Sequence, residues 1–78
     1  MTLSHGRVTA FDARRGLGTV ADAAGLEFDF HATALTDGSR RVEPGTEVTF
    51  SVVPGHRGRY EARGVSAVGE PAIHHSPT

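Results

Sequence analysis

Two short runs of alternating side chains, Leu17 to Ala21 and Leu26 to His31, flank an Asp22-Ala23-Ala24-Gly25 connection. That arrangement predicts two antiparallel strands joined by a short turn, a β-hairpin. Because successive side chains of a strand point to opposite faces, Leu26, Phe28 and Phe30 fall on one side and Glu27, Asp29 and His31 on the other. The apolar set is the expected core face. In the partner strand Gly18 and Val20 share it, which leaves Leu17 and Thr19 on the outer face with Asp29 and His31. A function is to be looked for on that outer face.

A chain of 78 residues is one domain at most, and at this size only about 60 to 65% of the unfolded surface is buried, so the core must be compact. With 37% hydrophobic and 22% charged residues, the composition is that of a globular domain and not of a disordered chain. Eight basic residues against nine acidic ones leave a net charge of -1, so the whole-molecule field offers no steering toward a polyanion. Any such attraction has to come from local clustering of the basic residues, all of which are arginine. The absence of cysteine removes disulfides and thiolate metal sites and suits a reducing compartment. The first residues, Met-Thr-Leu-Ser-His-Gly, lack the pattern of a signal segment, and no run approaches the ~20 apolar residues that span a bilayer. The expectation is a soluble, cytoplasmic protein that does not engage membranes.

Along the chain, residues 1–5 read as a leader, 6–68 as the folded domain and 69–78, with two prolines and no pattern, as a flexible tail. Gly6 to Asp12 has strand character, with Val8 expected in the core. Phe11 breaks alternation with Val8, so either a bulge intervenes or Phe11 lies on the outer face near Leu17. After His31, Ala32-Thr33-Ala34-Leu35 has no period of two and predicts one helical turn, with Leu35 plugging an end of the fold. Pro44-Gly45 signals a turn before Thr46 to Val53, the clearest strand, whose inner face is Val48, Phe50 and Val52. Arg59 to Val68 gives a fifth strand with Tyr60, Ala62 and Gly64 in phase; a bulge near Gly64 would bring Val65 inward instead. Five short strands with turn residues between them predict an all-β, five-stranded antiparallel barrel.

Arg15-Gly16-Leu17-Gly18-Thr19-Val20 resembles the first ribonucleoprotein motif of cold-shock domains, Lys-Gly-Phe-Gly-Phe-Ile, and Phe28-Asp29-Phe30-His31 resembles the second, Val-Phe-Val-His. The spacing between them also fits. The likeness extends over roughly residues 6 to 67 and implies that the barrel is of the OB type. It further implies binding of single-stranded RNA or DNA, by stacking of unpaired bases on aromatic side chains while basic residues follow the phosphates. Such proteins are thought to act as RNA chaperones or regulators of gene expression, not as enzymes.

Most of the stacking row is nevertheless exchanged. Ala10 stands at the family's tryptophan, Leu17 and Thr19 at the two phenylalanines of the first motif, and Asp29 at that of the second. Ala32 and Ser39 replace two further aromatics. Stacking contributes about 1 to 3 kcal/mol per base, so the loss of four or more rings removes several kcal/mol and implies weakened binding. Asp29 adds a carboxylate that repels phosphate, while the apolar lining of the barrel is kept.

What remains is His31, Phe11 and a set of arginines: Arg14 and Arg15 before the first motif, Arg40 and Arg41 in the long loop, and Arg57, Arg59 and Arg63 around the last strand. They either follow phosphates, and stack on bases in place of the missing rings, or solvate the surface and pair with Asp12, Glu43 or Glu61. Tyr60 is either a replacement aromatic pointing outward or a residue of the barrel end. The candidate nucleic-acid-binding set is thus Phe11, Arg15, Leu17, Thr19, Asp29, His31, Arg40, Arg57, Arg59 and Tyr60. Asp29 and His31 alone do not make a metal centre, the remaining histidines being scattered, and no nucleophile and base come together, so neither a cofactor, a metal nor a catalytic activity is expected. Two readings stand: a weak single-stranded nucleic-acid binder, monomeric or weakly dimeric, and a barrel whose outer face has been turned to a protein partner.

Overall fold

The computed structural model describes residues 3–38, 41–55 and 58–68. Five strands, β1 (Ser4–Asp12), β2 (Leu17–Asp22), β3 (Glu27–His31), β4 (Glu47–Pro54) and β5 (Tyr60–Ala67), close into one barrel in the order β1-β2-β3-β5-β4. A 3-10 turn, Ala32–Ala34, follows β3. The fold is the expected all-β barrel with one difference: β3 and β5 run parallel, through the pair Asp29 and Glu61, whereas every other junction is antiparallel. The barrel is therefore mixed. β1 also begins at Ser4, so Ser4 and His5, which read as leader, pair with Phe50 and Thr49 of β4. The tail over 69–78, with its expected flexibility, lies outside the described residues.

The core is Val8, Val20, Phe30, Leu35, Val48, Phe50, Ala62 and Val65, with Phe11, Phe28, Ala34, Val42 and Val52 packed against it. Each fully buried phenylalanine or valine contributes about 1.5 to 3 kcal/mol relative to exposure, which is how a small barrel offsets its chain entropy. Leu35 plugs the barrel end as expected, bridging to Val65 of β5. Leu26 does not join the core: it is 60% exposed. The hairpin tip runs past the end of the barrel there. Asp22 folds its carboxylate onto the backbone N–H groups of Ala24 and Leu26, and Gly25 takes a φ of 88°, so Leu26 belongs to the turn and stays outside the core.

Two bulges decide which side chains face in. The register of β1 against β2 shifts between Val8 and Ala10, so two consecutive residues, Thr9 and Ala10, separate the inward positions of Val8 and Phe11. Of the two alternatives for Phe11, the bulge is the one found. On β5, Gly64 and Val65 together oppose Phe50, Gly64 has a φ of 60°, and Val65 turns inward to 1% exposure. The in-phase pattern for β5 thus fails at both ends, Gly64 being exposed and Tyr60, paired with Pro54 at the strand's start, 58% exposed. No described helix is long and apolar enough to cross a membrane.

Candidate nucleic-acid interface

The antiparallel registers set the outer face of β1, β2 and β3 in two rows. Ala10 faces Thr19, which faces Asp29; Asp12 faces Leu17, which faces His31. Between these rows lie Phe11, Gly18 and Phe30, whose side of the sheet is the core. A groove of ≈ 430 Å³ opens along this face, lined by Ala10, Phe11, Leu17, Thr19, Asp29 and His31 among others. Leu17 and His31 are exposed, and Phe11 is half-buried, so an entering flat group meets an apolar wall on one side and an imidazole on the other. Thr19 is partly committed, because the bulge brings the Thr9 hydroxyl to within 2.6 Å of its own.

Next to the groove is a second depression of ≈ 530 Å³, lined by Arg14, Arg15, Gly16, His31, Ala32 and Thr33 among others. The turn that carries the two arginines is built by its neighbours. Asp12 accepts hydrogen bonds through Oδ1 from the backbone N–H groups of Arg14 (3.0 Å) and Arg15 (3.3 Å), an Asx-type turn. Gly16, at a φ of 68°, then accepts at its carbonyl from the Ala32 N–H at 2.8 Å, which ties the turn to the residue after His31. His31 lines both depressions, so the groove and the arginine-bearing concavity lie on either side of that side chain.

A third depression, of ≈ 320 Å³, lies around the start of β5 and is lined by Leu26, Glu27, Phe28, Asp29, Arg59 and Tyr60. Here Arg59 pairs with Asp29, Nη2 to Oδ2, at 3.8 Å, with both side chains largely exposed. This is not one of the pairings anticipated for the arginines, which named Asp12, Glu43 and Glu61. Asp12 instead serves the backbone of its own turn, and Arg7 donates to the Gly45 carbonyl at 3.1 Å.

Of the candidate residues, Phe11, Leu17, Thr19, Asp29 and His31 share the groove, Arg15 lines the adjoining depression, and Arg59 and Tyr60 lie with Asp29 in the third. Arg40 and Arg57 fall outside the described residues. The sequence reading missed Glu61, which reaches the groove rim because β5 runs beside β3, and Leu26, exposed beside Tyr60. The second had a signal, the Gly25 turn residue before it; the first had none, since a parallel closure leaves no local mark. Among the described residues no three His, Asp or Glu side chains come together to hold a metal ion.

No protein-family model matches the chain. Over 57 residues it is 35% identical to cold shock protein CspD of Bacillus subtilis (strain 168), an alignment covering 72% of this chain and 86% of that protein. The chain belongs to the cold-shock family. The cold-shock barrel is also matched by a solved structure of Drosophila Unr, CSD456, at a TM-score of 0.73 and 20% identity; the match covers 92% of this chain and spans 29% of the length of that one. Of the positions at which the family resemblance leads one to expect rings, Ala10, Leu17, Thr19 and Asp29 line this groove, beside Phe11 and His31.

Proposed function

We propose that this cold-shock protein binds single-stranded RNA or DNA, with bases entering the groove between Phe11, Leu17 and His31 and the sugar-phosphate chain running toward Arg14 and Arg15. The observation that carries this reading is that an apolar groove and an arginine-bearing concavity adjoin each other at His31, which lines both. A single strand needs both, a surface for its π-faces and cations for its phosphates. Affinity is modest, because aliphatic and acidic groups stand at most ring positions. The protein acts by binding, as an RNA chaperone or regulator of gene expression in the cytoplasm, as a monomer or weak dimer, and not as a catalyst.

The test is titration of a labelled oligothymidylate or oligouridylate at low salt. Association tighter than about 10 µM that weakens as salt is added is the expected result, since displaced counterions set the salt dependence. A second reading, docking of a protein partner on the same face, is favoured by the carboxylates of Asp12, Asp29 and Glu61 along the groove. No oligonucleotide binding even at low salt would select it.

A further inference from the structure

Asp29 occupies the middle of the groove face. Across the sheet its neighbours are Thr19 and Ala10 on one side, too short to cover it, and Glu61 of β5 on the other, and its side chain is 58% exposed. The Arg59 guanidinium approaches Oδ2 from the β5 side at 3.8 Å, a distance beyond direct hydrogen bonding. The arginine therefore offsets the negative charge without occupying the acceptor positions. The result is a carboxylate paired in charge with Arg59 and open on the groove side, in a wall it shares with Ala10, Phe11, Leu17 and Thr19, with Glu61 at the rim.

We propose that Asp29 makes the groove select nucleobases that present two adjacent N–H donors, guanine foremost, over thymine and uracil; this deepens the nucleic-acid reading and rests on it. A carboxylate only accepts hydrogen bonds, through two oxygens side by side. The guanine edge offers N1–H and N2–H at matching spacing, the same parallel geometry by which a guanidinium grips a carboxylate. Thymine and uracil offer one N–H between two carbonyl oxygens, so one bond forms and two oxygens are held against the carboxylate. Cytosine and adenine offer an amino group beside a ring-nitrogen acceptor and fall between. Arg59 contributes by lowering the repulsion between Asp29 and the phosphates of the incoming strand.

The experiment compares labelled single strands about eight nucleotides long, in lithium buffer to suppress guanine self-association: all-thymine, alternating thymine-guanine, and alternating thymine-inosine. Inosine keeps N1–H and lacks the 2-amino group. The expected result is that guanine strands bind about tenfold more tightly than all-thymine strands, the scale of a bidentate base contact, with inosine strands between. In Asp29→Asn, whose amide can both donate and accept, that preference shrinks to less than about threefold. Binding of all strands with equal affinity, a preference for thymine, or a guanine preference that persists in Asp29→Asn would overturn the proposal and leave the nucleic-acid reading standing. Failure of every strand to bind would overturn both.

Discussion

Phe11 and Phe30 stack with ring centroids 5.9 Å apart and planes 19° from parallel, although their strands are not neighbours: β2 runs between them and contributes Gly18 at that level. Two rings from flanking strands meet because the strand between them carries no side chain there. One ring, Phe30, closes the core; the other, half-buried, serves the core and the groove together. The Leu17-Gly18-Thr19 step of the first motif is thus a packing device and a stretch of groove wall in three residues.

A methyl group at Gly18 has no room. Its Cβ would lie 2.6 Å from Cζ of Phe30 and 2.8 Å from Cδ1 of Phe11, within two rings that pack against each other. Gly18→Ala should therefore cost about 1 to 3 kcal/mol, as overpacking does, read as a lower urea midpoint at unchanged slope. An unaltered midpoint would mean that the ring pair gives way freely.

The hairpin's apolar residue Leu26 should behave unlike the core. Leu26→Ala is expected to change stability by no more than about 0.5 kcal/mol, the usual range for exposed sites. Phe50→Ala, at a side chain fully buried against Phe28 and its neighbours, should cost about 3 to 5 kcal/mol. Equilibrium denaturation of both variants, followed by circular dichroism, decides it.

Much of this architecture was legible because barrel lining and turn chemistry are local signals. Val48 and Phe50 alternate, Pro44-Gly45 marks its turn, and the outward placement of Leu17, Asp29 and His31 follows from strand parity alone. What could not be read depends on pairing across the chain. Strand parity put Leu26 in phase with Phe28 and Phe30, but whether a core lies beneath a hairpin tip depends on how far the other strands extend. The parallel closure of β3 on β5, and with it the meeting of Arg59 with Asp29, joins residues about thirty positions apart through a register that no turn specifies. An arginine matched by charge alone finds several acids, and Asp12 had already been taken by its own turn.

Arg59→Ala separates binding from stability. An ion pair exposed on both sides contributes at most about 1 kcal/mol to folding, and commonly less, so the denaturation midpoint should barely move. Oligonucleotide affinity should fall several-fold at low salt, because the Asp29 carboxylate then faces the phosphates uncompensated. The loss should shrink as salt screens the charges. A loss that is independent of salt would place the effect of Arg59 in shape and not in charge.

Arg15 should act on every sequence alike. If it follows the phosphate chain from the depression beside His31, Arg15→Ala weakens all single strands by a similar factor and lowers the slope of log affinity against log salt by about 0.7, one phosphate's worth of counterion release for a single strand. Affinity measured at four or five salt concentrations gives the slope directly, and an unchanged slope would remove Arg15 from the phosphate path.

Asp29→Phe asks whether this face is a stacking platform at all. The position is exposed and flanked by Thr19 and Ala10, so a ring placed there has space to lie along the groove without disturbing the core beneath. Stacking adds about 1 to 3 kcal/mol per base, and the substitution also removes a negative charge, so affinity for an all-thymine strand should rise by that amount while the guanine preference disappears. Fluorescence anisotropy on wild type and variant, with the same thymine and thymine-guanine strands, reads both effects in one experiment. A variant that folds normally and binds thymine no better than wild type would show that bases do not reach this part of the barrel.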